Sequence, residues 1–329
     1  MTLPLTVACW DYDRTSALFG STVRIEGCSP TFFNLPVEET FFRALRSKEF
    51  DVAELSLSSY TVLRAKGISP YVAIPVFMSR MFRHSAIYVR TGAGIKEPAD
   101  LKGRKVGVPE YQLTAPVWVR GILEDEYGVS AAHIHWYSGG VEQPGRHEKV
   151  SISLPPGVEL APIPTDETLS QWLLDGRIDA LVAPRAPRLF AEGHPSIARL
   201  FPDFRRVEQD YFRRTGIFPI MHVLGIRNEL VEQYPWLPAS VFKAFLQAKN
   251  HALNELSEVG ALKVSLPWLA SDYTDAVAAM GQDFWRYGVS GNEATLNAFL
   301  RYHHQQGLSP RQLRIDELFA PQTLEQVLI

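Results

Sequence analysis

Leu169-Ser170-Gln171-Trp172-Leu173-Leu174, followed by Gly176-Arg177-Ile178 and then Asp179-Ala180-Leu181-Val182-Ala183, reads as a helix, a tight turn and a short strand entered through an aspartate. The same order occurs earlier. Phe41-Phe42-Arg43-Ala44-Leu45-Arg46 has helical spacing and leads through Glu49-Phe50 into the strand Asp51-Val52-Ala53-Glu54-Leu55. A second unit also recurs. Leu5-Thr6-Val7-Ala8-Cys9-Trp10 is a strand that runs into the polar turn Asp11-Tyr12-Asp13-Arg14-Thr15. Lys105-Val106-Gly107-Val108 likewise runs into Pro109-Glu110-Tyr111-Gln112-Leu113-Thr114, then a helical run from Ala115 to Glu126. Strands alternating with helices predict parallel pairing, with helices covering the sheet faces.

The helix–strand units are followed by small or polar segments, Ser56-Leu57-Ser58-Ser59-Tyr60 and Pro184-Arg185-Ala186-Pro187-Arg188. Ligands of open α/β sheets bind beyond the carboxyl ends of the strands. The four polar segments are therefore expected at one cleft, two from each of two lobes. The 329 residues suit two lobes of roughly 150 residues each. Glycines at Thr91-Gly92-Ala93-Gly94 suggest the first crossover, and Thr215-Gly216-Ile217-Phe218-Pro219 the return. Residues 1–91 plus 221–329 are then expected in lobe one, and 92–220 in lobe two. Helical runs from Ala239 to Leu256 and from Glu293 to Gln306 are expected to pack on lobe one or to form a homodimer face. Gly139 to Leu160, rich in Gly, Pro and charge, reads as a long loop or β-hairpin.

Composition removes several classes of function. A net charge of −3 argues against a general nucleic-acid or membrane-surface binder. No stretch approaches the roughly 18 apolar residues of a membrane span. The N-terminal Met1-Thr2-Leu3-Pro4-Leu5 has no basic region and no long apolar run, so a cytoplasmic location is expected. Cys9 and Cys28 form no C-x-x-C and no zinc spacing, which suggests free thiols in a reducing compartment. There is no phosphate-binding glycine loop and no serine-nucleophile elbow.

Three stretches resemble the bacterial 4,5-dihydroxyphthalate decarboxylase family: Arg83-His84-Ser85-Ala86-Ile87-Tyr88-Val89, Gly107-Val108-Pro109-Glu110-Tyr111-Gln112, and Thr215-Gly216-Ile217-Phe218-Pro219-Ile220-Met221-His222. Gln306-Gly307-Leu308 and Glu317-Leu318-Phe319-Ala320-Pro321 resemble it too, so the likeness spans nearly the whole chain. The resemblance implies a two-lobed fold of the type II periplasmic-binding-protein kind, each lobe a sheet flanked by helices. It also implies loss of one carboxylate from 4,5-dihydroxyphthalate, giving 3,4-dihydroxybenzoate and carbon dioxide. A non-catalytic binding protein for a small anionic aromatic ligand is the alternative.

Aromatic decarboxylation without an organic cofactor needs an anion clamp, a proton for the ring carbon that loses carbon dioxide, and an acceptor for a hydroxyl para to that carbon. His84, His222 and Glu110 are the candidate catalytic residues. Histidine exchanges protons near neutrality, and a carboxyl in a dry site rises in pKa. Arg80, Arg83 and Arg185 are the candidate clamp, because a guanidinium meets a carboxylate with two parallel bonds. Ser58, Ser59 and Tyr60 in one lobe, and Tyr111, Gln112 and Thr114 in the other, follow strands. They can bind an anion or cap a helix. Asp11 could accept a hydrogen bond from the ligand hydroxyls. Glu54, an acid in a strand, is either a cleft acid or a buried ion-pair partner. Trp10, Tyr60, Phe82 and Tyr111 could sandwich a ring or fill cores. His133-Ile134-His135 would place two histidines on one face of a strand, and His303-His304 adds a pair, but neither has an acidic companion in sequence. No cofactor is expected, with a divalent metal recruited by catechol oxygens left open.

Overall fold

The computed structural model describes residues 2–148 and 152–325. Eleven strands are present among them: β1 (Leu3–Ala8), β2 (Cys28–Phe33), β3 (Val52–Ser56), β4 (Tyr71–Arg80), β5 (Ile87–Arg90), β6 (Lys105–Val108), β7 (His135–Ser138), β8 (Glu159–Pro162), β9 (Ala180–Val182), β10 (Ile197–Arg199) and β11 (Ile220–Arg227). They make two sheets, ordered β2-β1-β3-β11-β4 and β10-β5-β9-β6-β7-β8. The chain divides into two compact units. The first comprises Met1–Arg80, Ile220–Leu296 and Arg314–Ile329, and the second Met81–Pro219 and Asn297–Leu313.

In the first unit β1 pairs in parallel with β2 and β3, while β11 lies antiparallel between β3 and β4. All five β3 residues are buried. A strand covered on both faces cannot alternate with polar residues, so Val52-Ala53-Glu54-Leu55 is apolar except for one acid that must be satisfied internally. Helix α1 (Asp13–Phe19) follows β1, α2 (Val37–Ser47) precedes β3, and α3 (Leu57–Ala65) leaves its end. The buried side of α2 carries Thr40, Phe41 and Ala44, and the helix stops at Lys48 in the left-handed conformation (φ 52°). The second unit repeats the plan. β6 pairs in parallel with β7 and β9, and β7 with β8, with β5 antiparallel to β9 and β10. Helix α4 (Thr114–Tyr127) follows β6 and ends at Gly128, whose positive φ of 64° closes a left-handed cap. Helix α5 (Leu169–Leu174) precedes β9, as the opening motif predicts.

Two boundaries differ from the sequence expectation. The first crossover falls at Arg80–Met81 rather than at Thr91–Gly94, because β5 pairs with β9 and β10 and so belongs to the second sheet. Residues 297–313 also belong to the second unit. Trp118 meets Phe299 and Tyr302 with ring centroids 5.6 and 5.7 Å apart, and Arg120 Nε donates to Gln306 Oε1 at 2.8 Å. Tyr302 lies flat against Gly121, where a Cβ would fall inside the ring's van der Waals envelope. Among the described residues of Gly139–Leu160 there is no hairpin, and β8 pairs in parallel with β7. Lys149 to Ser151 lie outside the described residues. His133 ends a 3-10 turn and His135 begins β7, so the two do not share a strand face.

No helix among the described residues is long and apolar enough to cross a membrane. Between the helices Leu237–Leu256 and Leu269–Met280, Val259, Leu262, Val264, Leu266 and Trp268 are 43–73% exposed.

Candidate active site

In the first unit the ends of β1, β3 and β11 bring together three side chains far apart in sequence. Glu54 is fully buried. Its Oε1 accepts from His222 Nδ1 at 2.6 Å and from the Tyr12 hydroxyl at 2.7 Å. Its Oε2 accepts from the Trp10 amide at 3.1 Å. Burial pushes the Glu54 carboxyl up. The hydrogen bond and charge of His222, the Trp10 amide and the Tyr12 hydroxyl outweigh that push and hold it below the usual carboxylate range. Glu54 is thus an anion and an acceptor, and His222 donates to it through Nδ1, which leaves Nε2 as the second ring nitrogen. His222 is half-buried, with the Phe41 ring edge-on at 4.8 Å. The Arg14 guanidinium lies 3.9 Å from the Tyr12 ring centroid, 4.2 Å from that of Trp285, and donates through Nε to the Met78 carbonyl at 3.0 Å.

The other candidates of this unit are placed differently. Ser58 and Ser59 are buried in the first turn of α3. The Tyr60 hydroxyl donates to the Leu318 carbonyl and accepts from the Ala73 amide at 2.9 Å, tying α3 to β4 and the C-terminal segment within the core. Arg80 is buried at the end of β4, donates to the Arg286 carbonyl at 3.1 Å, and is drawn down to about 9 by burial, against the pull of Asp283 and Tyr287. Asp11 and Trp10 are exposed.

In the second unit the turn between β6 and α4 carries a second cluster. Glu110 is fully buried; Arg146 Nε donates to its Oε1 at 2.7 Å and Gln112 Nε2 to its Oε2 at 3.0 Å. The Glu148 carboxylate accepts from the backbone amides of Tyr111 and Gln112. Burial raises the Glu148 carboxyl and the nearby Glu110 charge adds to the rise, opposed by the Tyr111 and Gln112 amides and Arg120. Arg120 lies buried 3.6 Å from the Tyr111 ring centroid and donates to the Tyr111 carbonyl at 2.6 Å. Thr114 is buried at the start of α4, and Arg185 is exposed just beyond β9.

His84 and Arg83 belong to this unit but not to this cluster. The His84 ring sits edge-on to Phe201 at 5.3 Å, Tyr211 at 5.1 Å and Tyr127 at 6.4 Å, and among the described residues neither ring nitrogen has a hydrogen-bond partner. Burial, helped by the Arg214 charge, pulls its pKa down to about 4, so it is neutral at pH 7. Arg83 is buried, is drawn down to about 10 by desolvation, and has Glu208 and Tyr88 facing it. Phe82 stacks on Phe218 at 4.6 Å. His135 pairs with Glu159 at 2.7 Å, and His303 and His304 turn to Ser309. Among the described residues no group of three or more His, Cys, Asp or Glu side chains is arranged to hold a metal ion.

Tyr12 and Arg146 were missed as site residues by sequence reasoning. Tyr12 stands in the polar turn after β1, where any residue can be a solvated turn position. Arg146 stands in an aperiodic loop. Only the buried acids they bond, Glu54 and Glu110, carry a sequence signal: an acid flanked by apolar or strand residues demands a partner.

The two sheets and their helices define a periplasmic-binding-protein-like α/β protein. The chain is similar over 99% of its length to the periplasmic aliphatic sulphonate binding protein SsuA from Escherichia coli, covering 100% of that chain, at 12% identity and a TM-score of 0.56. It is similar over 98% of its length to the periplasmic sulfonate-binding protein SsuA from Methylobacillus flagellatus KT, covering 92% of that chain, at 14% identity and a TM-score of 0.51. At these identities the likeness speaks for the fold alone. No family model matches the chain. Among curated proteins, the 4,5-dihydroxyphthalate decarboxylase of Comamonas testosteroni is 50% identical over 323 residues, 98% of both chains. That of Pseudomonas putida is 47% identical over 211 residues, 64% of this chain and 82% of the other. The chain belongs to the 4,5-dihydroxyphthalate decarboxylase family.

Proposed function

We propose that this protein decarboxylates 4,5-dihydroxyphthalate to 3,4-dihydroxybenzoate, with His222 as its proton-transfer group and Glu54 as the carboxylate that orients it. Half-identity to a decarboxylase over 98% of the chain carries the reaction class. The imidazole–carboxylate pair supports the residue assignment.

Each carboxylate of this substrate has a hydroxyl para to it. His222 Nε2 takes the proton of that hydroxyl, and the phenolate pushes electron density to the para carbon. That carbon takes a proton from solvent, its bond to the carboxylate breaks, the electron pair stays with the ring, and carbon dioxide leaves. The hydroxyl then recovers its proton from the imidazolium. One proton is consumed for each carbon dioxide released, so a side chain that can both take and give a proton suits the chemistry.

The remaining assignments are proposed unit by unit. In the first, Ser58 and Ser59 at the start of α3 are proposed anion ligands, and Asp11 a proposed acceptor for a ligand hydroxyl. In the second, Arg185, exposed beyond β9, and Gln112 and Thr114, between β6 and the start of α4, are proposed anion ligands. His84, enclosed by three rings, is assigned to packing. A homodimer is also proposed, through Val259–Trp268. Two copies pairing there cover apolar surface that water now touches, and a stable pair needs about 800 Å² on each partner. The helix Leu269–Met280, which has no fully buried residue, would supply the rest.

Reaction in D₂O tests the chemistry. Product carrying one deuterium at the vacated carbon is expected. A rise in melting temperature with substrate but no product would refute the enzyme reading and leave a binding protein.

A further inference from the structure

Glu54 Oε1 holds two donors at once, the His222 ring nitrogen at 2.6 Å and the Tyr12 hydroxyl at 2.7 Å. A carboxylate oxygen has room for both, but they share its charge. Every hydrogen bond to the ionised form stabilises that form and weakens its pull on other protons. The Tyr12 donor is not free to swing away. Arg14 lies over its ring, and Arg14 is itself fixed by the Met78 carbonyl and by Trp285. The position is therefore set by a chain of contacts running from the Tyr12 ring back into the first unit.

We propose that Tyr12 is a positioning residue of the imidazole–carboxylate pair: by sharing Glu54 Oε1 with His222, it sets how strongly Glu54 holds the imidazolium and thus the pH range in which His222 exchanges protons. The inference rests on the proposed role of His222 for its effect on turnover, but its physical core, the coupling of a phenol to an imidazole through one carboxylate oxygen, does not. The charged and titratable groups around the pair are Cys9 and Asp11 at the end of β1, Asp13 and Arg14 on α1, and Tyr287 from the segment after Leu269–Met280. Ser56 and Ser79 lie opposite His222 on the flanking strands, and Phe41 faces it from α2. Burial keeps the Cys9 thiol protonated, with the Glu54 charge in support. Tyr12 is thus the neutral donor whose removal changes the pair without changing net charge.

The test is Tyr12→Phe, which keeps the ring under Arg14 and deletes the donor. His222 is followed by nitrogen-15 NMR titration, its signal assigned by its loss in His222→Gln. With Tyr12 gone, Glu54 gives its full charge to His222. The His222 pKa is expected to rise by about half a unit or more, of the order of a lost neutral hydrogen bond, and the acid limb of the kcat/KM profile to move with it. In a Glu54→Gln background the same Tyr12→Phe change is expected to leave His222 where the single Glu54→Gln variant has it. An unchanged His222 pKa in Tyr12→Phe, or an equal shift with and without Glu54, overturns the proposal. If Tyr12→Phe does not fold, Tyr12→Met removes the same donor and is read in the same way. A protein that shows the NMR shift but no decarboxylation would sink the proposed function and leave this coupling intact.

Discussion

Glu54→Gln is the perturbation that separates a catalytic pair from a structural one. The change keeps the shape of the side chain and removes its charge. In the native protein the carboxylate accepts at 2.6 Å from His222, 2.7 Å from Tyr12 and 3.1 Å from the Trp10 amide. An amide has one acceptor oxygen, so its NH₂ must face a donor: the Trp10 N–H if the oxygen keeps His222 and Tyr12. One buried donor then goes unsatisfied, at a cost of about 1–3 kcal/mol. For the chemistry, a hydrogen bond to a charged group is worth about 1.5–3 kcal/mol and a neutral one about 0.5–1.5. The imidazolium therefore loses roughly 1–2 kcal/mol of stabilisation. At about 1.4 kcal/mol per tenfold, kcat should fall about 5–30-fold while KM stays near its native value. Stability should change its pH dependence too. The Glu54 carboxyl is held low in the folded protein, so its contribution is present above the unfolded carboxylate pKa and is lost as pH falls through the folded value. The variant lacks that acid-side loss. Steady-state kinetics of 3,4-dihydroxybenzoate formation, paired with denaturant unfolding at several pH values, reads both effects. A kcat within twofold of wild type would refute the reasoning, because a charge that close to the reacting imidazole cannot be removed silently.

Other consequences follow from the same structure. His84 titrates at about 4 when folded, against an ordinary 6.5, so the unfolded chain binds the extra proton between those values and stability falls as pH drops through that window, by about 3 kcal/mol in all. His84→Phe should flatten that slope in urea melts, and an unaltered slope would mean that other groups govern it. Gly121→Ala drives a methyl into the Tyr302 ring, so a loss of about 1–3 kcal/mol or more is expected; a variant as stable as wild type would show that the 297–313 segment does not pack there. Trp268→Glu should lower the mass seen by light scattering if Val259–Trp268 joins two copies, and a wild-type protein that runs as a monomer at micromolar concentration removes that reading.

The parts of the fold legible in the sequence are those written locally. Helix, turn, aspartate and strand recur at Phe41–Leu55 and Leu169–Ala183, and both copies are present as α2–β3 and α5–β9. Partner choice was not legible. β5 reads as a strand, yet only its pairing with β9 and β10, about ninety residues further on or more, tells which sheet it joins. The helix Glu293–Gln305 reads correctly as a helix, but its packing beyond residue 297 depends on Gly121 being small enough for Tyr302. The site follows the same rule. Glu54 stands out as an acid in an apolar strand, while its partner His222 is 168 residues away, and the meeting is made by the antiparallel register of β11 on β3. Arg146 and Glu148 reach the β6–α4 turn from a loop whose sequence has no period to read.

The most direct measurement compares wild type with His222→Gln on 4,5-dihydroxyphthalate, following carbon dioxide and 3,4-dihydroxybenzoate, with substrate affinity measured separately by calorimetry. Turnover in the wild type, and a kcat about 10²–10⁴-fold lower in the variant with binding retained, is the predicted result. A wild type that releases no carbon dioxide, or a variant that turns over as fast as wild type, would contradict the account.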